Sequence, residues 1–397
     1  METAKIDDKV EQSTLILHIG GAKCGSSALQ TFLTRNPRLE TRDGTQVEYW
    51  RVTDDESSNL TFLPVSEKKS LMGLNYQSSS SLGYRLESQC LHKIFESFIQ
   101  ENSQNKKKVF VFSHEGWVQE LQTAKQANCN CIQRNFKIQI YLNVRPQVNL
   151  LIPTYLQWAL WTENPTLQKT FSNYLTNISD WEVQAENALK LGADKILVRY
   201  TSEIVADFCE ITDINHASVI TPLIKKVNKS LSLEAIILLL RNRELRPGPH
   251  YPHIDFLLED LIDSGDIPIT PISIKIENDL IEEINEHFRV NNMKLLLRMT
   301  QDHARAFEYD LNASKDRYKD GIEASELLTT KLSVEFLEKL LVFVLLDIQK
   351  KPLPTDAAIA ERNAAIAERN MILSSNSWKL FSPYRQLTQF LRQGRGR

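Results

Sequence analysis

Apolar runs and amphipathic stretches alternate along the first 230 residues. The run LILHI at 15–19 leads into Gly20, Gly21 and Gly25, after which Leu29, Phe32 and Leu33 recur at helical spacing. This predicts a short buried strand, a glycine turn and a helix over 26–34. Residues 40–85 are polar, serine-rich and weakly periodic, with Ser78 to Ser81 in a row, and predict a long loop-like excursion. A helix is expected over 86–100, and the β-rich run VFVF at 109–112 then ends at Ser113, His114, Glu115 and Gly116. Another strand is expected over 137–144, ending at Arg145. A helix rich in Leu, Tyr and Trp follows over 148–162. Residues 181–191 read as a helix stopped by Gly192, residues 195–199 as a strand and 202–209 as a helix.

Strands alternating with helices make βαβ units, so the fold class is α/β with a mainly parallel sheet flanked by helices. Ligands of such sheets sit beyond the carboxyl ends of the strands. The opening glycine loop, Ser113-His114-Glu115 and Arg145 all occupy such ends.

Beyond residue 230 the pattern turns helical, with expected helices over 231–242, 255–263, 275–289 and 331–348, until Pro352 and Pro354 break it. The sequence AAIAERN at 357–363 repeats without change at 364–370. One large apolar residue recurs per heptad (Ile359, Ile366, then Leu373), too few for a filled coiled-coil seam. That stripe suits a solvated helix or a weak self-association element. The last residues interleave Trp378, Leu380, Phe381, Tyr384, Phe390 and Leu391 with Lys379, Arg385, Arg392, Arg395 and Arg397. Two readings fit such an end: peripheral contact with an anionic membrane, or a terminal helix docked on the protein's own body. The expected division is an α/β domain over 1–303, a helical extension over 304–350 and a repeat-bearing basic tail over 351–397.

Charge and cysteines narrow the chemistry. A net charge of −3 gives no general attraction to nucleic acid, so anion binding must be local. The five cysteines (Cys24, Cys90, Cys129, Cys131, Cys209) are scattered, and Cys129-Asn130-Cys131 has no second ligand pair; no metal is expected, and thiols in a reducing compartment suit the pattern. The polar start METAKIDD lacks a signal-peptide pattern, and the longest apolar run, 340–348, is half the length of a span of about 18 residues. A cytoplasmic location is expected.

The candidate chemistry centres on Gly20, Gly21, Ala22, Lys23, Cys24, Gly25, Ser26 and Ser27. Helix N-termini present amides without intrahelical partners and favour negative charge, and glycines let the main chain close around phosphate-like oxygens. Lys23 adds a cation, and Ser26 or Ser27 is expected to cap the helix. A Walker A loop places Lys directly after its second glycine. Here Ser26 holds that position and Lys23 lies inside the loop, two residues ahead of Gly25.

This order, K-x-G-S-S directly after a strand, resembles the 5′-phosphosulfate loop of sulfotransferases that use 3′-phosphoadenosine 5′-phosphosulfate (PAPS). Cys24 stands where that family usually has threonine. The resemblance implies a P-loop-like sheet, with Lys23 and the loop amides at the donor's 5′ end and Lys23 stabilising the leaving phosphate. It also implies a basic glutamate after the second strand, which falls on Glu115, with His114 as the alternative. Many bacterial members carry Arg-Arg-Gln followed by Ser-x-Tyr-x-Gln-Trp around the 3′-phosphate. This chain has Arg145, Gln147, Tyr155, Gln157 and Trp158 in register, but Pro153 at the serine position, with Thr154 beside it. Arg145 and Thr154 are thus the expected 3′-phosphate ligands. Further similar segments are Val198-Arg199-Tyr200, Ala206-Asp207-Phe208, Asn228-Lys229-Ser230-Leu231-Ser232 and Asn291-Asn292-Met293-Lys294-Leu295-Leu296, so the likeness extends patchily over 14–300.

The R-K-G-x-x-G-D-W segment of small-molecule sulfotransferases is absent. Residues 377–385, SWKLFSPYR, resemble a tail of bacterial surface-glycan enzymes. The implied activity is PAPS-dependent O-sulfation of a carbohydrate, without a metal; the membrane-contact reading of the tail would add a place at the inner face of the membrane. Pro153 motivates an alternative, a catalytically degenerate module of a glycan-assembly complex.

Overall fold

The computed structural model describes residues 12–21, 23–54, 60–65, 98, 102, 107–114, 135–190, 192–220, 231–248, 254, 258, 272–330, 332, 336–338 and 340–342. Ala22, Glu115, Cys90, Cys129, Cys131, residues 228–230, most of the expected helices over 86–100, 255–263 and 331–348, and the repeat-bearing tail lie outside the described residues.

The described strands form one seven-stranded sheet. They are β1 (Ser13–His18), β2 (Leu39–Glu40), β3 (Gln46–Asp54), β4 (Leu60–Pro64), β5 (Lys108–Ser113), β6 (Phe136–Asn143) and β7 (Lys195–Arg199). Across the sheet the order is β2-β3-β5-β1-β6-β7, with β4 paired to β3. The pairs β3–β5, β5–β1, β1–β6 and β6–β7 are parallel, whereas β2 and β4 run antiparallel to β3. The expected parallel α/β sheet is therefore present, with an antiparallel margin.

The margin corrects one expectation. Residues 40–85 read as loop, yet β3 and β4 both fall within them. Val47 and Tyr49 of β3 are buried and alternate with Glu48, which accepts from Lys108 Nζ at 2.6 Å and from Trp50 Nε1 at 2.9 Å. A strand that holds charge on one face carries a weaker apolar signal than a central strand.

Strand residues point alternately to two cores. Leu15 and Leu17, Phe110 and Phe112, Ile138, Ile140 and Leu142 enter one; Ile16, Val111 and Tyr141 enter the other. Helices α1 (Ser26–Arg35) and α4 (Ile204–Ile211) cover the second face through Leu29, Phe32, Leu33, Ile204 and Phe208. The first face is covered by α2 (Val148–Gln157), α3 (Trp181–Lys190), α6 (Asn278–Leu296) and Phe307 of α7 (Gln301–Asn312). The remaining long described helix, α5 (Leu233–Arg241), is capped by Ser232, whose hydroxyl accepts from the Ala235 amide at 3.1 Å. The result is helix, sheet, helix in three layers, the arrangement that buries a parallel sheet on both faces.

Helix α2 ends at Gln157 rather than 162. Pro153 lies inside it, and a 3-10 turn over Ala159–Trp161 takes up the rest. Residues 1–336 form one compact unit and 337–397 a second, whose described residues 337, 338 and 340–342 are helical. Among the described residues no helix is long and apolar enough to cross a membrane.

Under the β3–β5 side of the sheet, Phe110 makes edge-on contacts with Trp50, Phe98 and Phe136 at centroid distances of 6.0, 5.0 and 5.7 Å. Phe110→Ala would empty the centre of this aromatic cluster and is expected to cost about 4 kcal/mol. A urea unfolding curve checks this; a midpoint unchanged from wild type would refute the packing role.

Candidate active site

The carboxyl ends of β1, β5 and β6 lie together because His18 pairs with Ser113 on one side and Tyr141 on the other. The β1–β6 ladder continues into the loop: the Ile19 amide donates to Tyr141 O at 3.0 Å and the Gly21 amide to Asn143 O at 3.2 Å. Lys23 and Gly25 then both take left-handed backbone angles, φ 66° and 97°. That conformation is costly for a lysine, so the loop holds it in place. The Cys24 amide donates to Gly21 O at 3.1 Å, and Asn143 Nδ2 donates to Cys24 O. Cys24 is buried and fills the loop's interior.

Two buried rings form the floor. A Cβ on Gly20 would stand 2.5 Å from His18 Nε2, and one on Gly21 would stand 2.1 Å from the Trp181 ring. Only glycine allows the main chain to lie this close. Trp181 Nε1 also donates to Arg145 O at 2.7 Å, so one indole links the loop to the turn after β6.

Helix α1 starts from Gly25 with no side-chain cap. The expected serine cap is absent because the left-handed Gly25 takes the cap position, leaving Ser26 and Ser27 as the first helical residues. Ser26 Oγ is buried without a hydrogen-bond partner, and so are His18 Nε2 and Asn143 Oδ1. Each such atom costs about 1–3 kcal/mol. Three of them cluster around this loop.

His18 Nδ1 lies 2.7 Å from Ser113 Oγ, Gln30 Nε2 of α1 donates to Ser113 O at 3.1 Å, and the His114 amide donates to His18 O at 3.1 Å. Burial, then the neighbouring His114, lowers the His18 pKa to about 3. Burial lowers that of His114 to about 4. Both imidazoles are neutral near pH 7, so His114 offers a lone pair rather than a cation.

Arg145 opens onto a cleft of about 440 Å³ whose wall includes Pro153, Asn149, Tyr200, Asp310, Arg317 and Tyr318. Asp310 accepts from Tyr200 Oη at 2.5 Å and also from Asn149 Nδ2 and Arg317 Nη2. Tyr318 Oη donates to Asn149 Oδ1 at 3.2 Å, closing the ring. Burial works against the Asp310 carboxylate, but these donors outweigh it and hold its pKa below the ordinary value.

Thr154 is buried on α2, while Pro153 faces the cleft. Gln147 forms a reciprocal amide pair with Asn292, at 3.0 and 2.9 Å, and gives a hydrogen to Ser179 O. Asp207 accepts from Tyr141 Oη at 2.8 Å and pairs with Arg199 at 3.6 Å. Trp158 stacks on Tyr174. Sequence reasoning missed Asn143, Trp181, Asp310, Arg317 and Tyr318; only Asn143, a polar residue ending an apolar strand, carried a usable signal. Among the described residues no group of three or more His, Cys, Asp or Glu side chains is placed to hold a metal. No protein-family model matches the chain, and neither does any curated protein.

Two outcomes follow from these networks. Because folding depresses the His18 pKa from 6.5 to about 3, the unfolded chain takes up a proton first as the pH falls. Stability present above pH 6.5 is therefore lost progressively towards pH 3, by about 2 kcal/mol at pH 5. Urea midpoints at pH 7 and 5 should differ less for His18→Gln than for wild type; an equal difference in both would refute the assignment. Asp310→Ala should destabilise the fold by about 2 kcal/mol, less than the loss of one partner of a fully buried ion pair because Arg317 is 40% exposed. The same measurement at pH 7 tests it, and a change below about 0.5 kcal/mol would make the network ornamental.

Proposed function

We propose that this chain is a sulfotransferase that moves a sulfuryl group from PAPS to a hydroxyl of a carbohydrate acceptor. The observation that carries the reading is the loop at the end of β1: Lys23 in a left-handed turn, an uncapped helix behind it, and a buried Ser26 hydroxyl without a partner. The Ser26 hydroxyl is a donor for the oxygens of a phosphate or sulfate ester, at a helix N-terminus that favours negative charge. A glycine loop between a central parallel strand and a helix also supports the P-loop-like description. Lys23 lies within the loop, as the phosphosulfate reading requires and a Walker A reading does not.

In the proposed reaction the acceptor oxygen attacks sulfur, and the bond from sulfur to the bridging oxygen of the 5′-phosphate breaks. Adenosine 3′,5′-bisphosphate leaves with the electron pair of that bond. Lys23 and the loop amides offset the charge that grows on the bridging oxygen. The acceptor proton passes to a base at the end of β5. Neutral His114 is one candidate there and Glu115, outside the described residues, is the other. Arg145 faces the nucleotide's 3′ side, and the glycan acceptor supplies the attacking hydroxyl.

Pro153 favours a second reading. It faces the cleft beside Arg145 and brings no hydroxyl or amide hydrogen. A degenerate module of a glycan-assembly complex would carry that change without penalty.

Calorimetry with adenosine 3′,5′-bisphosphate separates the two readings. The enzyme reading expects binding by the wild type and a loss of about tenfold or more in Lys23→Ala, the worth of a charge-assisted contact. Absence of binding would favour the degenerate module, and equal affinities would remove Lys23 from the site. Transfer of labelled sulfate from PAPS to a polysaccharide acceptor then reads the activity itself.

A further inference from the structure

The cleft beside Arg145 holds a second guanidinium. Arg317 ends a short helix over Ser314–Arg317, beyond the reach of the sequence likeness, and faces the same cleft as Arg145 and Pro153. Arg145, Arg317, Tyr200 and Tyr318 all line this one cleft, and both guanidiniums offset the effect of burial on the two phenols. Arg317 does not lie loose at the surface. Its Nη2 is tied to Asp310, which Tyr200 and Asn149 also hold, and its side chain bonds the Tyr318 hydroxyl. Asp310 is mostly buried, whereas Arg317 is 40% exposed. The carboxylate thus anchors one side of the fork, and a guanidinium has five N–H donors to share between that anchor and a ligand.

We propose that Arg145 and Arg317 form a two-guanidinium clamp for a phosphomonoester, with Arg317 supplying the contact that Pro153 cannot make and Asp310 acting as its positioning residue. The charge supports this assignment. Two arginines and one aspartate leave the cleft net positive, and two planar forks suit the three terminal oxygens of a phosphomonoester. The apolar wall of Ile152, Ile272 and Ile274 leaves room beside the clamp for the flat body of a nucleoside. The inference rests on the donor reading above for the identity of that nucleoside, and it deepens that reading by naming a residue for the 3′ end.

Adenosine 3′-monophosphate and adenosine 5′-monophosphate test the clamp and the loop separately, by calorimetry on the full chain. The 3′ ester should lose about tenfold or more in affinity in Arg317→Ala, less in Arg317→Lys, and nothing in Lys23→Ala. The 5′ ester should show the reverse dependence. Melting temperatures of each variant, with and without 3′ ester, separate lost binding from lost folding; Arg317→Lys keeps the charge should the alanine variant fail to fold. Affinity for the 3′ ester that is the same in wild type and both Arg317 variants overturns the clamp and leaves the loop reading intact. Arg317-dependent binding of the 3′ ester without Lys23-dependent binding of the 5′ ester supports the clamp and overturns the donor reading. Binding of neither ester overturns both.

Discussion

β1 is hydrogen-bonded along both edges, to β5 and β6, and buried on both faces. A strand so enclosed has nowhere to place polar atoms except at its ends. Its neighbours are parallel, so their carboxyl ends fall at the same edge, and His18, Ser113 and Asn143 meet there. The meeting of the loop with these strand ends follows from that enclosure. The loop can extend the ladder through the Ile19 and Gly21 amides because β6 runs two residues past Tyr141, the partner of His18, and offers the Tyr141 and Asn143 carbonyls.

The loop's shape is set from below. The rings of His18 and Trp181 press against Gly20 and Gly21 so closely that a methyl group has no room. The backbone is thereby held rigid while its outer side carries Lys23 in a left-handed turn. Rigid seating has a cost, visible in the orphaned polar atoms of His18, Ser26 and Asn143. A fold that keeps three such atoms around one loop holds stability in reserve elsewhere. The aromatic cluster under β5 and the apolar faces of α2, α3 and α6 supply it.

The cleft past β6 follows a different electrostatic logic. The loop is shaped by main-chain geometry, whereas the cleft is built from side chains of α2, the end of β7, α7 and the short helix that ends at Arg317. Asp310 unites them by accepting from three donors at once, so the arrangement is pre-set. Trp181 ties the two regions together, with its ring under Gly21 and its N–H on the Arg145 carbonyl. A disturbance of that indole would be felt at both.

The central strands, α1 and the glycine loop were legible in the sequence because each depends on local patterning: continuous apolar runs, helical spacing of Leu29, Phe32 and Leu33, and glycines at the turn. β3 was not, since Val47 and Tyr49 share their strand with Glu48 and Arg51 and the apolar alternation is diluted. Pro153 was legible as a missing hydroxyl, and so was Arg145 as a strand-end cation. What stands opposite them was not. Asp310, Arg317 and Tyr318 lie more than 150 residues away in the chain, on elements whose own patterns report only amphipathic helix and turn. Trp181 reads in sequence as one more core aromatic, and its fit beneath Gly21 exists only once α3 packs on the sheet. The chain's local periodicity determined which segments are strands and helices and where the glycine turn follows the first of them. Long-range packing alone decided which distant side chains complete the candidate site, because contact between them depends on the sheet's order and not on any spacing along the chain.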